Sequence, residues 1–161
     1  LVNFFTERTV RWEDSTVVLI DQRQLPNHLT YLRCTDHQQV AKAILDMNVR
    51  GAPAIGVAAA MGLALAANNS KAESKQQLLD EMQGARRDLV ETRPTAVNLV
   101  WGVNRIYRRA FEAEGAVEVI KQIVVDEAQR MADEDVDVNR SIGRNGAPLL
   151  EDGDVVLTHC K

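Results

Sequence analysis

Val49-Arg50-Gly51-Ala52-Pro53-Ala54-Ile55-Gly56-Val57-Ala58-Ala59-Ala60-Met61-Gly62-Leu63-Ala64-Leu65-Ala66-Ala67 is the stretch on which the fold turns. Pro suits the first turn of a helix, where its missing N–H has no partner to lose. A helix is therefore expected from near Pro53 to about Ala67, stopped by Asn68-Asn69-Ser70. It is apolar on nearly every face, so it belongs at the centre of the molecule with other elements around it. The run from Ala52 to Ala67 is shorter than the ~20 residues that span a bilayer. Rich in Ala and Gly rather than Leu, it reads as a buried helix, and no membrane partner is expected.

Working outward, the helices come in sequence. Asp36 is a good N-cap for a helix to about Met47. Ser74 to Thr92 gives another, with a charged outer face, broken at Arg93-Pro94 because the residue before Pro avoids the α region. Thr95 is expected to cap a helix to about Glu114. After Gly115 a last helix runs from Ala116 to near Arg140, and its acidic end (Asp133, Glu134, Asp135, Asp137) reads as a solvated face. Upstream, Thr9-Val10-Arg11-Trp12 and Val17-Val18-Leu19-Ile20 flank the polar turn Glu13-Asp14-Ser15-Thr16, a hairpin pattern. A turn follows at Pro26-Asn27, and Tyr31-Leu32-Arg33-Cys34 adds a third strand. Downstream, Gly143, Gly146, Pro148 and Asp152-Gly153 suggest a loop, and Asp154-Val155-Val156-Leu157-Thr158-His159 looks like a buried parallel strand. The fold class is α+β: a mostly helical domain with a small β-sheet over residues 1–115, a connecting helix over 116–145, and the start of a second domain over 146–161.

Composition agrees with a globular protein: 45% hydrophobic and 26% charged residues, with only 4% aromatic. The net charge of −4 comes without any block of Lys or Arg, so a nucleic-acid partner is not expected. Cys34 and Cys160 are far apart and form neither a disulfide framework nor a C-x-x-C site, which favours a reducing, cytoplasmic setting. His28 and His37 are isolated, no spacing suggests a metal, and no cofactor is implied. The start Leu1-Val2-Asn3-Phe4-Phe5 lacks the basic region and long apolar run of a signal peptide, and Leu1 is not Met.

Three segments could carry chemistry. In Arg50-Gly51-Ala52-Pro53, a helix begins with small residues directly after an Arg, so free N–H groups and a full charge could meet a phosphate. In Glu91-Thr92-Arg93-Pro94-Thr95-Ala96-Val97-Asn98 the design recurs, and two arginines ahead of two helix starts could converge on one anion. Small residues also serve close helix packing and arginines also decorate surfaces, so the residues alone leave both uses open. The third is Thr158-His159-Cys160. The carboxyl end of a first parallel strand is where α/β sheets place ligands. A thiol there can act as acid, base or nucleophile, or be merely structural. His159 would point to the opposite side of the strand and is a poor partner for Cys160.

Taken together, Val49-Arg50-Gly51-Ala52-Pro53-Ala54-Ile55-Gly56, Thr92-Arg93-Pro94-Thr95-Ala96-Val97-Asn98-Leu99, Leu157-Thr158-His159-Cys160 and Leu19-Ile20-Asp21-Gln22 with Leu25-Pro26 resemble the methylthioribose-1-phosphate isomerase family. That family is related to the regulatory subunits of initiation factor 2B and to ribose-1,5-bisphosphate isomerase. The resemblance implies a helical N-terminal domain followed by a Rossmann-like domain. It implies aldose–ketose isomerisation of methylthioribose 1-phosphate in methionine salvage, with substrate contacts at Arg50, Gly51, Ala52 and Arg93 and a catalytic cysteine at Cys160. The phosphorylated pentose is the implied partner, and a homo-oligomer is expected, since full-length relatives are expected to be dimers. The family's second acid/base group is an aspartate of the C-terminal domain. Lys161 stands where the family has the Asn of Asn-Ala-Gly, so the resemblance implies an N-terminal portion that is inactive alone. Two alternatives accompany this reading: an initiation-factor-2B-like interaction module, and a fragment of a ribose-1,5-bisphosphate isomerase.

Overall fold

A computed structural model describes residues 7–157. Three strands, β1 (Val10–Glu13), β2 (Thr16–Ile20) and β3 (Tyr31–Cys34), form an antiparallel sheet in that order. Five helices follow: α1 (His37–Leu45), α2 (Ala52–Asn69), α3 (Lys75–Thr92), α4 (Val97–Glu112) and α5 (Val117–Gly146), with a single 3₁₀ turn at Ala147–Leu149.

As its composition requires, α2 is the centre. Its length and apolarity would suffice to cross a membrane, but 67% of it is buried against the sheet and the other helices. Gly62 meets Val40 of α1 and Leu89 of α3. The closest approach is to α4. A methyl group added at Gly56 would lie 2.8 Å from the Asn98 carbonyl oxygen, and one added at Gly102 would lie 2.5 Å from that of Gly56. No Cβ fits at such distances, so the two glycines let the backbones of α2 and α4 touch near the start of both helices.

The hairpin turn is tighter than the polar run suggests. Glu13 and Thr16 pair as the last rung of the ladder, leaving a two-residue loop, Asp14-Ser15, with φ of 49° and 55°. Positive φ at both central residues is the turn whose twist matches the flanking strands. β2 is buried along its whole length. One face, with Val17 and Leu19, joins the helical core. The other carries Val18, flanked across the ladder by Arg11 and Arg33. Glu13 bridges these two arginines at 3.0 and 2.9 Å, and their aliphatic stems roof the strand.

Asp36 and Ser74 cap α1 and α3 by accepting hydrogen bonds from the Gln39 and Gln77 backbone N–H. Thr95, by contrast, does not cap α4. The Ala96 N–H bonds the Arg93 carbonyl at 2.9 Å, closing a turn that makes Ala96 the N-cap, without a side-chain bond.

The last helix also outruns expectation, passing Arg140 and Gly143 to Gly146. A glycine in a helix costs only about 1 kcal/mol and is a weak breaker. Asn139 and Ser141 donate to the carbonyls of Asp135 and Asp137 one turn back in the same helix. The buried part of α5 ends at Ala132. In the acidic run that follows, Asp133 pairs with Arg8 at 2.6 Å and Glu134 with Arg105 at 2.6 Å, so the face is solvated but not free of partners. Arg105 also reaches the buried Glu127 at 2.6 Å, tying α4 to α5. The parallel strand expected from Asp154 onward is not present among the described residues. Val155 and Leu157 are 99% and 95% exposed, neither packed on the helices nor paired. A parallel strand takes its stability from neighbours joined by crossovers, and the described residues supply none.

Between β2 and β3 the chain turns on Asp21, whose carboxylate is buried and accepts from the Arg23 backbone N–H, Nε and Nη2 at 3.1, 3.1 and 3.2 Å. The Arg23 guanidinium holds the Asp21 carboxyl below its usual range, and burial opposes this only in part. The Asn48 amide lies close to the same carboxylate and lowers it further, although its buried Nδ2 makes no hydrogen bond of normal geometry.

Two outcomes follow from this packing. Gly102→Ala should cost about 1–3 kcal/mol by overpacking, whereas Gly84→Ala, where an added methyl meets nothing within 4 Å, should gain about 0.5–1 kcal/mol in helix propensity. Urea unfolding of both variants measures the contrast, and equal effects would refute the crossing. Because the folded carboxyl of Asp21 is depressed, its contribution is full above the unfolded value of about 3.9 and is lost as the pH falls through the lower folded value. The stability gap between parent and Asp21→Asn should therefore be widest near neutral pH and narrow below about pH 4. Urea midpoints from pH 3 to 7 read it, and a gap that widens in acid would reverse the assignment.

Candidate functional site

The glycine crossing decides where the sequence-expected residues lie. Gly56 sits about one turn inside α2, and Asn98 and Gly102 lie in the first turns of α4. Contact among them sets the two helix starts side by side. Arg50-Gly51 leads into one start and Arg93-Pro94-Thr95-Ala96 into the other.

At the first start, Gly51 is the N-cap with φ 91° and ψ 130°, a conformation that glycine alone adopts without strain. An added methyl there would meet nothing within 4 Å, so the backbone conformation selects glycine and the space beside it stays open. The Gly51 carbonyl accepts the first helical bond, from Ile55 N–H at 2.9 Å. No side chain caps this end, and Pro53 has no N–H, so the Ala52 and Ala54 N–H groups are the first donors of α2. Residues 50–53 are exposed, whereas Val49 just before them is fully buried and anchors the segment.

At the second start, Arg93 ends α3 and is partly buried. The Ala96 carbonyl accepts from Leu99 and Val100 N–H at 3.0 and 3.2 Å, which leaves Val97 and Asn98 N–H as the leading donors, again with no side-chain cap. α5 also begins uncapped, at Ala116, but no arginine precedes it. Neither Arg50 nor Arg93 makes an ion pair among the described residues; the same holds for Arg86, Arg87, Arg108 and Arg144, which lie within helices rather than ahead of an α-helix start. What singles out the first two is their place ahead of paired, uncapped helix ends. There, partial positive charge from the backbone adds to a full charge on the side chain.

Two further contacts lie near the helix starts, outside the arginine segments. Trp101, one turn into α4, is 54% exposed beside the helix start, with the Arg105 guanidinium 5.5 Å from its ring centroid. The turn Asp21-Gln22 docks on the segment before Gly51: Gln22 N–H donates to the Asn48 carbonyl at 2.8 Å, and Gln22 Nε2 to the Arg50 carbonyl at 3.4 Å. A glycine about one turn inside each of two helices was the available signal for the crossing; nothing in the sequence pattern pairs Gln22 with Arg50.

Cys160, with Thr158 and His159, lies outside the described residues. Cys34 is buried under the sheet, and burial pushes its thiol up to about 11, so it is a poor nucleophile. Among the described residues no group of three or more His, Cys, Asp or Glu side chains is placed to hold a metal ion.

The fold has counterparts of known structure. The chain superposes on 5-methylthioribose 1-phosphate isomerase from Pyrococcus horikoshii with a TM-score of 0.86 at 46% identity, covering 91% of this chain and 41% of that one. It matches the translation initiation factor eIF-2B subunit delta from A. fulgidus equally well, at 0.86 and 44% identity, covering 96% and 45%. Among curated proteins, the methylthioribose-1-phosphate isomerase of Fervidobacterium nodosum is 45% identical over 154 residues, and that of Thermotoga maritima 46% over 153. The chain spans 44% and 43% of their lengths. The Initiation factor 2 subunit family matches residues 48–161, a span that opens just before Arg50 and includes both helix starts. With the motifs in order and the fold superposed, the chain belongs to the Initiation factor 2 subunit family.

Proposed function

We propose that this chain carries the phosphate-holding part of a methylthioribose-1-phosphate isomerase site, with Arg50, Gly51, Ala52 and Arg93 as its substrate contacts. The observation that carries the reading is the pairing of two uncapped helix starts, each led by an arginine, through the Gly56–Gly102 contact. A phosphate set between them would accept backbone N–H bonds from both helices and face two guanidinium groups. Identity of 45–46% to isomerases of that name supports this substrate class.

The chemistry accounts for the design. A phosphate on C1 locks the sugar ring, so the enzyme must assist ring opening and then move hydrogen between C2 and C1. Both steps need an acid and a base beside a fixed substrate. In this reading Cys160 is one of the pair, and its partner is the aspartate that the family carries in its C-terminal domain. Residues 1–115 form the helical domain, 116–145 the connecting helix and 146–161 the first part of the second domain, in a cytoplasmic enzyme. The chain alone then binds substrate without turning it over.

The resemblance to an initiation factor subunit supports a second reading, an assembly module, in which the arginines have no ligand to hold. Calorimetric titration with methylthioribose 1-phosphate separates the two. Arg50→Ala and Arg93→Ala should each weaken binding by about 10- to 100-fold, the worth of a charged hydrogen bond. Lysine at either position should restore only part, since it lacks the two-pronged geometry. Unchanged affinity in both alanine variants would favour the assembly module, and turnover by the 161-residue chain alone would refute its inactivity.

A further inference from the structure

The Asp21-Gln22 turn supplies none of the proposed substrate contacts, yet it touches the segment that leads into α2. The link between α1 and α2 is short and conformationally demanding: Met47 and Gly51 have φ of 61° and 91°. Met47 N–H and Asn48 N–H fold back onto the carbonyls of Ile44 and Ala43 at 3.2 and 2.9 Å. This fixes the link as far as Asn48, and Val49, fully buried, anchors the next residue. Arg50 itself is exposed, and its peptide is the last one before the left-handed Gly51.

That peptide is held from the side by Gln22. The backbone bond from Gln22 N–H to the Asn48 carbonyl (2.8 Å) aligns the turn, and Gln22 Nε2 then reaches the Arg50 carbonyl at 3.4 Å. The turn is itself braced. Asp21 is buried, donates its own N–H to Thr30 at 2.9 Å, and clamps Arg23 through both carboxylate oxygens. A group so supported can orient what it touches.

We propose that Gln22 is a positioning residue for the anion site: it fixes the Arg50 peptide, and through it the directions of the Arg50 side chain and of the first free N–H groups of α2. The inference rests on the phosphate-holding reading. It assigns Gln22 no contact with substrate; its effect passes through the Arg50 carbonyl. Losing one such bond should loosen the Arg50–Gly51 segment while leaving the global fold, which rests on α2 and its neighbours, intact.

The test uses the 161-residue chain and Gln22→Met, which keeps length and removes the donor. Amide hydrogen exchange, thermal unfolding and titration with methylthioribose 1-phosphate are measured on parent, Gln22→Met and Arg50→Ala. The expected result is a midpoint within about 2 °C of parent, several-fold faster exchange confined to the first hydrogen-bonded amide of α2, that of Ile55 on the Gly51 carbonyl, and affinity weakened about three- to tenfold, the worth of one neutral hydrogen bond. A parent that does not bind, or an Arg50→Ala variant that binds as well as parent, overturns the phosphate-holding reading and the role of Gln22 with it. Parent and Arg50→Ala behaving as expected while Gln22→Met binds like parent overturns the positioning role alone. So does faster exchange spread evenly over all helices, because a general loss of stability would then explain the weaker binding.

Discussion

The backbone contact between Gly56 and Gly102 is the constraint on which the rest depends. Two helices with side chains at their crossing stand 8–10 Å apart. Removing the Cβ on both sides lets carbonyl groups and α-carbons touch, and the contact falls near the beginning of each helix rather than its middle. Side-by-side helix starts concentrate two sets of unpaired N–H groups in one place. The arginines then stand ahead of a region that the backbone has already made electropositive.

The surrounding structure keeps that crossing in place. α2 is apolar all round, so it can be satisfied only by full enclosure, and the sheet, α1, α3, α4 and α5 provide it. α4 is fixed on its other side by Arg105, which reaches Glu127 and Glu134 of α5. Glu127 is buried and also takes Arg130, so α5 carries a carboxylate that cannot leave its partners without exposing an unpaired charge. On the remaining side, β2 is sealed by core residues on one face and by the Arg11–Glu13–Arg33 bridge on the other. Little freedom is left to the two helix starts except in the short segments that lead into them.

Much of this was legible in the residues. The unbroken apolar run after Pro53 placed a central helix, and Asp36 and Ser74 marked two helix starts by the chemistry of their side chains. The strands were visible as β-prone runs around polar turns. The points that were not legible have physical reasons. Thr95 looked like a cap, but the turn after Pro94 moved the cap to Ala96. Gly143 and Gly146 looked like an end to α5, but a helix tolerates glycine at a cost of only about 1 kcal/mol. Val155 to Leu157 read as a buried strand because strand propensity is local, whereas burial depends on partners. Of the candidate site residues, Arg50 and Arg93 stood out by their position before small residues or Pro. The contact that unites their helices is between backbones, and no side-chain pattern encodes it beyond two glycines set a turn inside their helices.

In the proposed function the two helix starts form one anion site. Titration of the ¹⁵N-labelled chain with methylthioribose 1-phosphate, followed by amide resonances, tests it most directly. Gly51, Ala52 and Ala54 on one helix and Val97 and Asn98 on the other are expected to shift together, along a single saturation curve. Shifts confined to one start, two curves with different midpoints, or no shift at either start would contradict it.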